Sequence, residues 1–291
     1  MKGAIVQVTS ACNLRCNSCE TYKLKPEFIK WNKEWLINLK REGFWYLSLT
    51  GGEPTLHPEI VEMLKAMKQL RFFTHIATNG TNLNRIKEVV EYLDAITVSI
   101  DDYIPEMHNL FRGRKSFDSA VECARYVKGK VKIATVNMLV HDDNAERVIE
   151  MASFVNTEIG LPLSLCFMDS ESYVFNKRFT AERDKIRRAF SLVYSNYRQY
   201  VFGNTREYYR QCIAYLDGGR VSECRAGETI FFIDVKGTLN ACFKHKKRPD
   251  GCNECFIQCF REPSLFRPII HGGIFLRNYL MGKWKNYQKI S

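Results

Sequence analysis

The chain has 291 residues, 45% of them hydrophobic, enough for one large α/β domain and a small extra module. No run of 18 apolar residues occurs, and the short apolar stretch at the start soon reaches a polar, cysteine-rich loop, so neither a membrane-spanning helix nor a secretory leader is expected and the sequence reads as cytoplasmic. Lysine and arginine outnumber aspartate and glutamate by 43 to 32, and the resulting +11 suits an anionic partner (nucleic acid, a phosphorylated substrate or an acidic membrane surface), although no arginine-rich tail or basic recognition helix stands out.

Short β-branched segments alternate with helical patterns. Strands are expected at Ala4–Thr9, Phe44–Thr50, Phe72–Thr78, Ala95–Ile100, Val131–Leu139 and Leu161–Phe167. Helices are expected at Trp31–Glu42, closed by Gly43, and at Glu59–Leu70, Leu83–Leu93, Ser116–Val127 and Asn144–Val155. Strands and helices in this order imply βαβ units, a parallel sheet and right-handed crossovers. The fold class is therefore α/β, a partial (β/α)6 TIM-type barrel. Two further helices follow at Thr180–Tyr200 and Arg206–Leu216. Gly218-Gly219 breaks the pattern, and Thr229–Val235 with Thr238–Cys242 reads as a β-hairpin turning at Lys236-Gly237. The division is residues 1–217 for the barrel and 218–291 for a small cysteine-rich hairpin and helix module. The tail at 274–287 mixes aromatic and basic residues. It suits docking on its own domain, with peripheral contact to an anionic membrane as the lesser reading.

Eleven cysteines in a chain read as cytoplasmic suggest metal rather than disulfides. Cys123 and Cys166 stand alone in apolar segments and read as core; Cys212 is left undecided. Cys12, Cys16 and Cys19, spaced C-x3-C-x2-C, follow the first strand directly, at the strand end where barrels carry their chemistry. Three thiolates this close can hold soft metal ions. Structural zinc normally shows two separated pairs, and no second pair lies nearby, although His57, His75 and His108 offer a fourth ligand in principle. Cys224, Cys242, Cys252, Cys255 and Cys259 form a second group, whose spacing alone accommodates zinc as well as iron–sulfur.

The first group, with "SLTGGEPTLHPEI" at 48–60, "IATNGT" at 76–81, "ITVSIDD" at 96–102 and "HNLFRGRKSFDSAVE" at 108–122, resembles the radical S-adenosylmethionine (SAM) enzymes in order and spacing across residues 4–170. The resemblance implies that Cys12, Cys16 and Cys19 hold a [4Fe–4S] cluster and leave one iron for the amino and carboxylate groups of SAM. It implies reductive cleavage of SAM to a 5′-deoxyadenosyl radical that abstracts a substrate hydrogen, with an electron donor such as flavodoxin or ferredoxin. It places Gly51, Gly52 and Glu53 at the SAM ammonium, and Ser99 near the ribose or carboxylate with Asp101 and Asn79 beside it. Arg112 is the candidate partner of the SAM carboxylate. The family usually has a bulky residue before the third cysteine, against the adenine. Ser18 stands there in this chain, which passes that contact to another residue, with Tyr22 the candidate.

The opening C-x12-G-x4-C from Cys224 through Gly237 to Cys242 resembles the SPASM or Twitch auxiliary-cluster module. Five cysteines in place of seven imply one auxiliary [4Fe–4S] cluster. Cys224 and Cys242 are the firmer ligands, and two of Cys252, Cys255 and Cys259 complete the set. The substrate is open between a peptide and a small molecule. The first strand begins almost at the N-terminus, so no N-terminal peptide-recognition domain is expected. The competing reading is a non-catalytic iron–sulfur or zinc module, associated with nucleic acid.

Overall fold

Parallel strands alternating with helices organise the chain. The computed structural model describes residues 2–167, 182–253 and 255–264. The first six strands are β1 (Lys2–Thr9), β2 (Phe44–Gly51), β3 (Phe73–Thr78), β4 (Ala95–Ser99), β5 (Ile133–Val140) and β6 (Leu163–Phe167). They pair in parallel, each with the next. Between them run α1 (Lys33–Arg41), α2 (Ile60–Gln69), α3 (Leu83–Val89), α4 (Pro105–Arg112), α5 (Phe117–Val127) and α6 (Val148–Phe154). After β6 come α7 (Arg183–Ser195), α8 (Arg206–Leu216), β7 (Ile230–Ile233), β8 (Leu239–Asn240) and α9 (Gln258–Ser264).

Strand alternation separates two faces. Leu47, Leu49, Ile76, Ile96, Val98, Val136 and Met138 face the helices and are fully buried. Each such side chain contributes about 1.5–3 kcal/mol by leaving water. In register on the opposite, inner face lie Ser48, His75, Thr97, Thr135, Ser99, Asn137, Ser164 and Cys166. Polar residues are thus collected inside the partial barrel, and apolar ones beneath its helices.

The α/β class and the parallel sheet agree with the sequence reading, with two structural differences. α4 was not expected as a helix: Pro105 opens it and Gly113, at φ 69°, closes it after two turns, too few for a visible period. The hairpin of β7 and β8 is present, but β7 also pairs in parallel with β1, so the eight strands form one sheet in the order β6-β5-β4-β3-β2-β1-β7-β8. At the other end, Leu163 N–H donates to Val201 O at 3.1 Å and Gly203 N–H to Leu163 O at 2.9 Å, so residues 201–203 run beside β6. Among the described residues no helix is long and apolar enough to cross a membrane. The expected tail contact at 274–287 lies outside the described residues.

Candidate functional site

The Cys12–Cys19 loop leaves the carboxyl end of β1 and is tied down on three sides. On the β2 side, Gly52 N–H donates to Thr9 O and Glu53 N–H to Ala11 O, both at 2.8 Å. A Cβ on Gly51 would sit 2.2 Å from Thr9 O, and one on Gly52 would sit 2.1 Å from Ala11 O, so only glycine permits this approach. On the α4 side, Arg15 N–H donates to Arg112 O at 3.2 Å and Asn17 N–H to Phe111 O at 2.9 Å. Gly113 lies so close that a Cβ there would meet Arg15 O at 2.3 Å. On the β3 side, Asn79 Nδ2 donates to Asn13 Oδ1 at 2.9 Å, and Asn13 Nδ2 to Thr81 Oγ1 at 2.7 Å. A loop with little regular structure is thereby given one backbone path.

Glu53 is buried at the centre of this bracing. Its Oε1 accepts from Thr55 N–H at 3.1 Å, Thr55 Oγ1 at 2.7 Å and Thr78 Oγ1 at 2.8 Å, and its Oε2 accepts from Asn79 N–H at 2.8 Å. Burial raises its pKa, and these hydrogen bonds pull it back only in part. Glu53 and Asn79 both join β2, β3 and the cysteine loop. Sequence reasoning placed them at a ligand and missed this brace, along with Asn13.

Asp101 and Arg112 form a second buried node. Arg112 Nε donates to Asp101 Oδ2 at 2.6 Å, and Leu139 N–H donates to Asp101 Oδ1 at 2.9 Å. Burial would raise the Asp101 carboxyl, but the Arg112 guanidinium and neighbouring donors more than offset it and hold the carboxyl below its usual range. The same guanidinium reaches the Cys16 thiol. Ser99 is half-buried on the inner face and has no side-chain hydrogen bond to the described residues.

The three thiols interact electrostatically with one another. Burial pushes Cys12 up to about 11 and raises Cys16 as well, so these two thiols are protonated at neutral pH and metal binding must displace their protons. Among the described residues no three His, Cys, Asp or Glu side chains gather tightly enough for a single metal ion. Three soft donors from one pinned loop instead suit a multi-iron cluster, whose thiolates sit on separate irons. The histidines are otherwise engaged. His57 contacts Glu59 N–H and Ile29 O, and His108 contacts Asp101 N–H and Ser116 Oγ. His75 bridges Ser48 Oγ at 2.7 Å and Thr97 Oγ1 at 2.9 Å across the inner face. Ser18 is buried, whereas Tyr22 lines a cavity of about 310 Å³ with Cys12, Asn13, Leu14, Arg15, Lys23 and Arg114.

The second cysteine group is also brought together. Cys224, Cys242, Cys255 and Cys259 share an apolar cluster with Ile5, Ile230, Phe232 and Phe260, and Cys242 senses both Cys224 and Cys252. Cys259 is pushed far up by burial and senses Cys255, Cys224 and Cys166. Cys123 is core as expected. Cys166 departs from that expectation: it is half-buried on the inner face and accepts from Asn137 Nδ2 at 3.3 Å. Cys212 is buried in α8.

Residues 6–155, half of the chain, match the Radical SAM superfamily. The chain belongs to the radical SAM superfamily. It is 30% identical over 189 residues to molybdenum cofactor biosynthesis protein 1 of Bos taurus, covering 59% of this chain and 29% of the relative. It is 28% identical over 170 residues to a protein of Pyrococcus abyssi described as a probable GTP 3′,8-cyclase, covering 54% of each. The chain thus spans only about a third to a half of these relatives. Its fold is similar to that of native anSMEcpe with bound AdoMet and Cp18Cys peptide, with a TM-score of 0.63, 17% identity and coverage of 99% of this chain and 97% of the other. Membership of the family implies a [4Fe–4S] cluster and SAM.

Proposed function

We propose that the chain binds a [4Fe–4S] cluster at Cys12, Cys16 and Cys19 and uses it to cleave SAM reductively. When bound, the cluster and SAM supply a 5′-deoxyadenosyl radical able to abstract a substrate hydrogen. The supporting observation is the three-sided bracing of a three-thiol loop by backbone that only Gly51, Gly52 and Gly113 allow. The loop presents three ligands and keeps them in place. Ser99, whose hydroxyl has no side-chain hydrogen bond to the described residues, and Tyr22, which lines a cavity with Cys12, are candidates to contact SAM beside the backbone of Gly51 and Gly52. Arg112 neutralises Asp101 and lies against Cys16, where its charge favours the thiolate.

The gathered thiols of Cys224, Cys242, Cys252, Cys255 and Cys259 support one auxiliary [4Fe–4S] site; zinc is the rival by spacing, but no three described side chains here lie close enough for a single ion. Residues 218–264 then act as the auxiliary module, although β7 continues the barrel sheet. A ferredoxin or flavodoxin is the proposed electron donor. The relatives' names point to a small-molecule substrate and the solved structure's peptide to a polypeptide.

Anaerobically reconstituted protein should form 5′-deoxyadenosine from SAM and dithionite. None, with cluster content verified, would leave the non-catalytic reading. Wild type should hold about eight irons and a Cys12/Cys16/Cys19→Ala variant about four, on four irons per cluster. Four irons plus zinc in wild type would give the second site to zinc.

A further inference from the structure

A cavity of about 460 Å³ lies at the carboxyl ends of β1 and β7, between the segment that follows the first cysteine loop and the β7–β8 hairpin. Cys242 lines it on the hairpin side, and Gln7 and Ser10 line it where β1 runs into the cysteine loop. It is the size of a small-molecule site. No residue assigned to the two cysteine groups or to SAM, apart from Cys242, contributes to its wall.

The wall is built rather than incidental. Ser10 Oγ donates to Lys25 O at 2.8 Å and accepts from Glu27 N–H at 2.8 Å, fixing the path of residues 25–27 against β1. Phe232 and Phe243 meet edge-to-face at 4.6 Å, and Phe243 meets Phe260 at 4.9 Å, giving a firm apolar floor. Four lysines line the space: Lys25, Lys236, Lys244 and Lys246. Of these, Lys25, Lys236 and Lys246 have no side-chain ion pair among the described residues. Two carboxylates are present. That of Asp234 is taken up by its own turn, accepting from Lys236 N–H and Thr238 N–H at 2.9 Å each. Among the described residues of the lining, Glu27 is the one other carboxylate.

Unpaired like charges around one cavity repel each other unless an anion joins them. Lysine ammonium groups act as point charges, and several around one cavity can converge on a multivalent anion such as phosphate. A half-open space with an apolar floor and a rim of exposed lysines suits a molecule with an organic part and a phosphate part. We propose that this cavity binds the phosphate or diphosphate group of a small organic substrate. As the placement of a substrate, the assignment rests on the radical SAM reading above; as an anion site, it is testable without it.

The test is a calorimetric titration of the reconstituted full chain with inorganic pyrophosphate, without SAM or reductant, at low and at raised salt. Wild type should bind, more weakly as salt rises. K236E/K246E should bind at least about tenfold more weakly, the size expected for two reversed charges near a multivalent anion. K33E/K65E reverses the same number of charges on exposed lysines outside the lining and should bind as wild type does. Circular dichroism of each variant establishes that it is folded, and K236Q/K246Q, which introduces no new charge, should show a smaller loss in the same direction. No binding by wild type, or equal weakening in the control pair, would overturn the proposal. Tighter binding of a hexaglutamate peptide than of pyrophosphate would give the cavity to an acidic peptide and overturn it likewise. A null titration says nothing about 5′-deoxyadenosine formation, so the two readings fail separately.

Discussion

Arg112 shows how one side chain serves two neighbours. It neutralises a carboxylate that is almost wholly buried and also lies against a candidate ligand thiol. Removing one partner of a buried pair strands the other's charge. Arg112→Gln should therefore destabilise the fold by about 3 kcal/mol in urea unfolding. The double variant Arg112→Gln/Asp101→Asn should recover much of that loss, because the orphaned charge is gone. Simple additivity of the two single losses would show that the pair is not coupled. Gly113 makes a sharper case. Alanine there must hold a left-handed backbone and meet Arg15 O, so Gly113→Ala should lose about 1–3 kcal/mol. It should also shed iron from the first cysteine group faster than wild type under a chelator. Equal iron retention would mean that the α4 side of the brace does not hold the loop.

At the scale of elements, much of the architecture was readable beforehand. The six inner strands carry β-branched runs between helical periods, and these survive in β1 to β6 with shifts of a few residues. What could not be read were pairings remote in sequence. Nothing local in Ile230–Ile233 says that it pairs with Gly3–Val6. Glu53 and Asn79 were legible as site residues because of the motifs around them. Their bracing role was not, since it depends on Thr78 at the end of β3 and Asn13 in the cysteine loop arriving from separate parts of the chain. α9 is a third case. Its Glu262 accepts from Thr205 N–H at 2.9 Å and Asn204 Nδ2 at 3.0 Å, while Phe260 packs on Phe243 at 4.9 Å. The short helix therefore joins the β7 side of the sheet to the chain beside β6. Burial pushes Glu262 up to about 7. The folded state then binds this proton more tightly than the unfolded state. Its contribution is fully present below the unfolded pKa and is lost as pH rises toward 7. Stability should fall by at most about 3 kcal/mol across that window, and Glu262→Gln should flatten the profile. A wild-type profile that rises over this range would contradict the assignment.

Across the whole molecule, the cysteine groups are anchored by different lengths of chain. The bracing of the first group comes from β1, β2, the β3 loop and α4, all within the first 113 residues. The second group depends on β7, β8 and α9, and on packing against Ile5 and Tyr46. One sheet therefore combines contacts between neighbours in sequence with a β1–β7 pairing that spans more than two hundred residues. Local pairings form readily, while long-range ones wait on loop closure.

This division has a consequence for how the protein is made. A ribosome delivers β1 more than two hundred residues before β7, so the β1 edge stays open while the intervening chain emerges. The cradle around Cys12, Cys16 and Cys19 can be complete long before that edge is covered. On the cluster assignments proposed above, a cell supplying iron and sulfide during translation would meet the first cysteine group already cradled and the second not yet assembled.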